Sequence, residues 1–441
     1  MSTLALAFYG DDFTGSADVL MQCARWGMRG SILLGMPTAD RLQQEAESND
    51  LVGIAGVTRA MAPGQSAPII EVMLGRLRDL GPRLVQYKIC STADSSPTVG
   101  SFRPAIEIGR ELFGNRPVPV LPAQPNLGRY TAFSTHFAMY RGEIVRLDRQ
   151  PIMANHPVTP MNEADLRRHV EQQLPERSTV GQIHLTDLHR PGGARVAYER
   201  ATAKGHSAVI VDAVTEEDLL TTGRLLTELD ETTAFGIGSA GLSIGFGRAF
   251  GFDHASALPA IGRSQKPCLA VSGSCSSLTG EQIESAIGSG WHGVALDASH
   301  LDDPRSGRFA SILDEVMAEL RNGTSVVVYT CGPDQRVSDD TIDARKLSGR
   351  LAEVVSTARE TGLIDRTLIA GGDTSGLVLT ALGAIAMTGT AVVGDHRTLA
   401  FEIDAPSGAN HQLEVILKGG QIGGPGFFEQ VRLGTEAGGA G

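Results

Sequence analysis

Short apolar runs alternate with amphipathic stretches along most of the 441-residue chain. Residues 3–9 (TLALAFY) are almost wholly apolar, and 16–27 carry apolar side chains at helical spacing. Further apolar runs lie at 30–35, 51–57, 83–89 and 117–121, with amphipathic stretches near 65–80 and 102–113. Runs this short and uniformly apolar predict strands buried on both faces, and helices alternating with them predict a mostly parallel sheet. The pattern continues as helix 163–174, strand 180–186, helix 193–203, strand 207–213, helix 215–228, strand 233–237 and helix 240–250. One segment departs from it. Residues 123–163 are irregular and rich in Pro, Asn, His and Arg, which suits either a functional loop or an elaborated edge hairpin.

Residues 253–267 (DHASALPAIGRSQKP) break the periodicity and mark a domain boundary. The alternation then restarts as strand 268–272, helix 278–289, strand 292–296, helix 307–321, strand 324–330, helix 340–361, strand 366–370 and helix 375–384, with a last strand at 413–418. The chain therefore reads as two α/β domains, 1–255 and 266–441, with mostly parallel sheets and a ligand cleft between them.

Composition narrows the class. Hydrophobic residues make up 41% and charged residues 20%, a globular balance. Acids outnumber bases 50 to 38, and a formal net charge of −12 argues against nucleic-acid binding. With no basic leader and no apolar run of about 18 residues, neither a secretory signal nor a membrane span is expected. The cytoplasm is the expected compartment. Cys23, Cys90, Cys268, Cys275 and Cys331 are scattered, so neither a disulfide framework nor a zinc cluster is expected. A homodimer is expected only on general grounds. The 53 glycines cluster where apolar runs end, as in ligand-binding turns of open α/β folds.

Several chemistries are absent from the sequence. There is no GxxxxGK[ST], no protein-kinase signature, no GxSxG elbow and no HExxH. Gly236 to Gly241 matches GxGxxG, but the acid that a dinucleotide ribose needs about 20 residues on is missing. Close helix–strand packing explains those glycines better.

The second domain offers three anion-suited turns at strand ends. Ser272 and Ser274 lie in VSGSCSS, where small residues let backbone N–H groups converge at a helix start. Gly371, Gly372, Asp373 and Thr374 lie in GGDTSG, where glycines permit close approach and Asp373 is placed to position Mg²⁺. Gly419 and Gly420 follow Lys418, one of only five lysines. Each turn alone reads as an ordinary connection; three in one domain point to a nucleotide triphosphate.

The first domain carries a second constellation. Asp11 and Asp12 end the first strand, where adjacent acids hold sugar hydroxyls and one serves as general base, or merely complement a helix dipole. Arg59 follows the third strand, suited to clamp a carboxylate, or to an exposed salt bridge. Lys88, Ser91, Thr92 and Asp94 fall in YKICSTADSS, a donor-dense loop that fits a small polyhydroxylated anion. Cys90 and Cys275 read as small packing residues, and His156 as either a substrate ligand or a loop hydrogen bonder.

Taken in order, DDFTG (11–15), YKICSTADSSP (87–97), HPVTPMNEADL (156–166), GSAGL (238–242), SGSCSS (272–277), GGDTSG (371–376) and LKGGQIG (417–423) resemble the four-carbon acid sugar kinases over nearly the whole chain. The resemblance implies an ATP- and Mg²⁺-dependent kinase, with the acid sugar on the first domain and the nucleotide on the second. The loop at 87–97, with GVTRAM and LGRY, looks more like the branch acting on 3-oxo-isoapionate or 3-oxo-tetronate than the threonate and erythronate branch. Ala93 and the run Val99 to Arg103 depart from the family pattern beside the expected sugar pocket, which bears on substrate identity. The resulting expectation is phosphoryl transfer to a terminal hydroxyl of a 3-oxo sugar acid, with Asp12 orienting or deprotonating it and Asp11 second. A nicotinamide dehydrogenase and a non-catalytic sugar-acid sensor remain as alternatives.

Overall fold

The computed structural model describes residues 4–156, 158–229, 233–253, 258–296, 307–331, 344–394, 398–404, 413–419 and 422–434. They form two compact units, Met1–Ala257 and Leu258–Gly441.

In the first unit, parallel strands run in the order β2 (Gly30–Leu34), β3 (Leu51–Ala55), β1 (Leu6–Gly10), β4 (Leu84–Lys88), β11 (Ala234–Gly238), β5 (Val118–Leu121), β10 (Ala208–Val211), β9 (Val180–Ile183). All five residues of β1 (LAFYG) are buried, as an uninterrupted apolar run requires of a central parallel strand. Its partners end level with it: Gly10 pairs with Ala55 and with Lys88. The helix Phe13–Ala24 starts at once, capped by Asp12, whose Oδ1 accepts from the Gly15 N–H at 2.9 Å.

The irregular segment contains an antiparallel sheet of β6 (Arg129–Ala132), β7 (Thr135–Tyr140) and β8 (Glu143–Arg146). It is thus an elaborated hairpin. Its polar His and Arg residues hide the period of two, although His136 and Ala138 alternate inward along β7. Phe133 and Ser134 at the β6–β7 tip both take positive φ (+51° and +62°), held by Asp212, which accepts from both backbone N–H groups. The helix expected over 163–174 is shorter, Leu166–Glu171.

The second unit orders its strands β13 (His292–Ala295), β14 (Val326–Tyr329), β12 (Leu269–Ser272), β15 (Arg366–Ala370), β18 (Glu414–Lys418), β17 (Thr398–Asp404), β16 (Ala386–Val393). These are parallel up to β18; β17 runs antiparallel to both neighbours. The β16–β17 pair was not predicted, because Gly389 and an adjacent bulge interrupt its pattern. The helix Ala39–Ser48 was also unpredicted; it buries only Leu42 and Ala46. No helix among the described residues is long and apolar enough to cross a membrane.

Candidate active site

Three strand ends meet in the first unit. Asp11 and Asp12 follow β1, Arg59 lies in the turn after β3, and Lys88 closes β4. Asp11 N–H donates to Lys88 O at 3.0 Å and Arg59 N–H to Asp11 O at 3.1 Å, so the backbones are tied before any side chain acts. Arg59 then grips both acids. Its Nε and Nη2 donate to Asp11 Oδ2 and Oδ1 (3.2 and 2.7 Å), and Nη1 donates to Asp12 Oδ2 (2.7 Å). Burial pushes the Asp11 carboxyl up, against the downward pull of Arg59. Burial also works against the Arg59 charge, but Asp11 and Asp12 hold it well above the usual guanidinium range. Asp12 is the more accessible acid, its side chain 25% exposed against 4% for Asp11.

The Lys88 side chain is buried, yet its Nζ makes no ion pair or hydrogen bond among the described residues and acts on Asp11 only through its charge. A Cβ on Gly15 would fall 2.4 Å from Asp12 Oδ1 and 2.5 Å from Lys88 Nζ, so glycine is what lets the helix start this close. The site therefore holds two acids bound by one guanidinium, beside an ammonium free to meet a ligand.

Ser91, Thr92 and Asp94 lie on the loop leaving β4. Thr92 Oγ1 donates to Asp94 Oδ1 at 2.6 Å, and Cys90 Sγ lies 2.9 Å from Thr92 Oγ1. The loop is pinned from two sides. His136 Nε2 is 2.8 Å from Ser91 O; a carbonyl can only accept, so Nε2 carries the proton and Nδ1 accepts from Thr131 Oγ1 at 2.8 Å. Burial lowers His136 to about 4, so it is neutral near pH 7. His169 Nε2 and Gln173 Nε2 converge on Ser95 Oγ at 2.7 and 2.9 Å. Sequence reasoning missed both histidines, since an isolated His carries no mark of anchoring a loop. It also passed over Arg129, at the start of β6, which lies within electrostatic reach of Cys90 and Asp94.

In the second unit, register brings the three turns together. Ser272 pairs with Ala370 and Ala370 with Lys418. Gly273 N–H donates to Ala370 O and Gly371 N–H to Lys418 O, both at 3.0 Å. Gly371 has φ +121°, and a Cβ on Gly273 would lie 2.1 Å from Thr374 Oγ1, so the first two turns touch through glycine. Ser272 Oγ accepts from Ser274 N–H at 3.4 Å, and Ser274 Oγ lies 3.2 Å from Thr279 Oγ1. Lys418 Nζ donates to Thr279 Oγ1 (3.0 Å) and Gly419 O (3.1 Å), linking the third turn to the first. Lys418 is fully buried without a carboxylate partner among the described residues, and burial lowers its ammonium to about 8.

The helices Ser277–Gly288 and Gly372–Ala381 start from these turns, so both aim positive ends at them. Gly372 is exposed there, Asp373 lies in the first helical turn, and Thr374 is buried. Gly420 lies outside the described residues. An uncompensated buried ammonium, two helix N-termini and glycines at the contact points fit an oligophosphate. Among the described residues no three His, Cys, Asp or Glu side chains cluster as a metal cage. Mg²⁺ carried by a nucleotide relies mainly on phosphates and water.

The remaining motifs resolve as packing or anchoring. A Cβ on Gly241 would fall 2.1 Å from Ala123 O, and on Gly238 2.7 Å from Leu121 O. The GxGxxG stretch is therefore filled by the chain itself. His156 Nδ1 accepts from the Thr159 N–H at 3.0 Å, a loop anchor. Burial pushes the Cys90 thiol up to about 11, which removes nucleophilic character at neutral pH. One expectation is corrected: Cys275 is not a free packing residue but is disulfide-bonded to Cys331, 56 positions away. The two meet because β12 and β14 are neighbouring parallel strands.

Comparison with known proteins bears on the family and the fold. The sequence matches a sugar-binding N-terminal domain over residues 6–246 and a nucleotide-binding C-terminal domain over 269–428. It is 37% identical to a 3-oxo-isoapionate kinase of Paraburkholderia graminis, across 99% of this chain and 95% of that one. It is 28% identical to a 3-oxo-tetronate kinase of Methylobacterium radiotolerans, across 97% and 98%. Crystal structures of proteins from Salmonella typhimurium LT2 (TM-score 0.78, 22% identity, 97% and 98% coverage) and Haemophilus influenzae (TM-score 0.74, 21%, 97% and 99%) share the fold.

Proposed function

Because this chain belongs to the four-carbon acid sugar kinase family, we propose that it transfers the γ-phosphoryl group of ATP to a terminal hydroxyl of a short 3-oxo sugar acid, of the 3-oxo-isoapionate or 3-oxo-tetronate kind. It is a sugar acid kinase. The acid is assigned to 1–255 and the nucleotide to 266–441. The observation that carries the reading is the presence in one chain of both the Asp11–Asp12–Arg59–Lys88 cluster and the cradle of Gly273, Gly371 and Lys418.

Phosphoryl transfer asks chiefly for positioning and charge stabilisation. Asp12, the accessible acid, orients the attacking hydroxyl and accepts its proton; Arg59 fixes its carboxylate and keeps Asp11 beside it. Lys88, Ser91, Thr92 and Asp94 hold the remaining oxygens of the acid. Ser272, Ser274, Gly371, Gly372, Thr374, Gly419 and Gly420 cradle the phosphates, with Lys418 supplying charge. Mg²⁺ bound with the nucleotide would neutralise phosphate charge, with Asp373 as the residue proposed to help hold it. The cytoplasm, where ATP is supplied, is the proposed compartment.

The test is ADP release from Mg²⁺-ATP across 3-oxo-isoapionate, both 3-oxo-tetronates, the threonates and the erythronates. Turnover is expected on an oxo acid. Turnover only on threonate or erythronate would move the chain to the other branch. Silence with ATP bound would remove the substrate reading, and silence without ATP binding would remove the kinase reading.

A further inference from the structure

We propose that Arg129 receives the carboxylate of the substrate and that Arg59 does not. The proposal rests on the sugar-acid reading above and names the part of that site that recognises the acid group. A carboxylate needs a cation that is not already neutralised. Arg59 is spent: all three of its side-chain nitrogens donate to Asp11 or Asp12. Arg129 is not. Its Nη1 donates to the backbone oxygens of Leu127 (2.9 Å) and Gly128 (3.3 Å), which fixes the plane of the guanidinium. Its Nε is buried with no partner, and Nη2 has none among the described residues. Among the described residues no carboxylate lies within ion-pair distance of it, and Asp94 and Cys90 act on its charge from farther away. A guanidinium with no ion-pair partner among the described residues is costly to bury; Nε is closed off, so Nη2 is the group on which an incoming carboxylate removes that cost.

The turn that carries Arg129 has the same unfinished character. Three buried side-chain polar atoms without a partner among the described residues fall between residues 124 and 129: Gln124 Oε1, Asn126 Oδ1 and Arg129 Nε. The amides are not loose. Gln124 Nε2 donates to Asp18 Oδ2 (2.9 Å) and Asn126 Nδ2 to Gln22 Oε1 (2.8 Å), both on the helix that Asp12 caps. These bonds fix the turn, and with it Arg129, relative to the helix that Asp12 caps. Lys88, a compact ammonium, is then left for the oxo or hydroxyl oxygens.

The experiment compares each sugar acid with its neutral amide, on wild type and on Arg129→Gln and Arg129→Lys. In Arg129→Gln the KM for the acid should rise about 100-fold and the preference for acid over amide should nearly vanish, with the KM for ATP unchanged. Arg129→Lys, which keeps the charge without the fork, should recover part of the preference and decides the matter if the Gln variant melts early. An unchanged acid KM and preference in a folded Arg129 variant overturns the proposal while leaving the kinase reading in place. Wild-type silence on every acid with ATP still bound overturns the sugar-acid reading itself, and this role for Arg129 with it.

Discussion

Raising the pH from about 7 to about 9.5 should discharge Lys418 and weaken nucleotide binding. Burial lowers this ammonium from 10.5 to about 8, a depression of 2.5 units. At ~1.4 kcal/mol per unit, that is roughly 3–4 kcal/mol held against the folded state. The sign follows from proton counting. Below pH 8 the lysine is charged in both folded and unfolded chains, and the cost is fully present. Between 8 and 10.5 the unfolded chain keeps a proton that the folded chain has lost, so stability rises with pH through that window.

A bound phosphate reverses the preference, because an adjacent anion favours the charged form. Above pH 8 binding must then take up a proton, and affinity should fall up to tenfold per unit, about 30-fold by pH ~9.5. Calorimetric titration of ADP along this range, in two buffers of different ionisation enthalpy, measures both the slope and the proton taken up. Lys418→Met should bind ADP weakly at neutral pH and show no slope. An affinity flat across the range in the wild type, or a slope that survives in Lys418→Met, would refute the assignment of Lys418 to the phosphates.

Three further tests address the other parts. Asp12→Asn keeps a competent helix cap, so the fold should survive while kcat drops at least about 100-fold; near-normal turnover by coupled ADP release would exclude Asp12 as the proton acceptor. Gly273→Ala places a Cβ 2.1 Å from Thr374 Oγ1, so the KM for ATP should rise at least about tenfold with the KM for the acid unmoved; a matching rise in both would mean general damage rather than a cradle. Reducing Cys275–Cys331 releases a loop spanning 56 positions, worth about 4 kcal/mol on chain-entropy grounds. Reductant should lower the melting temperature of the wild type and leave Cys331→Ser unmoved, and identical melts of the wild type with and without reductant would contradict a formed disulfide.

The parts legible in the sequence are those that a parallel ladder places by itself. β1 is a run of five buried residues, and the residue after such a strand is where the chain turns to meet a ligand, so Asp11 and Asp12 were visible. The same holds for the turns after β12, β15 and β18. What sequence could not show is which strand ends are neighbours. The Arg59 pairings span 47 and 48 positions and exist because β3 and β4 flank β1 in register. The disulfide likewise follows from the β12–β14 pairing. The hairpin sheet was obscured because its inward positions include a histidine, and His136 is tolerated there by donating to Ser91 O and accepting from Thr131 Oγ1.

This division bears on how the site distinguishes substrates. Asp11, Arg59 and Lys88 are tied into ladder ends by backbone hydrogen bonds, so they vary only at a cost to the sheet. The loop of Ser91 to Asp94 and the turn at 124–129 lie outside the parallel ladder; the turn is closed on itself by the Gln124–Arg129 backbone bridge, and side chains set where both sit. They nevertheless share a reference with the chemistry. The helix Phe13–Ala24 carries Asp12 at its start, Asp18 below it and Gln22 one turn further, and the last two hold Gln124 and Asn126. At 1.5 Å per residue, Asp18 and Gln22 lie about 9 and 15 Å along the helix from Asp12, so the turn and the acid share one rigid rod. Substitution at Asp18 or Gln22 should therefore shift the Arg129 turn against a fixed Asp12. It should alter which acid is accepted before it alters how fast a well-placed hydroxyl reacts, a separation that substitutions at Arg59 cannot produce.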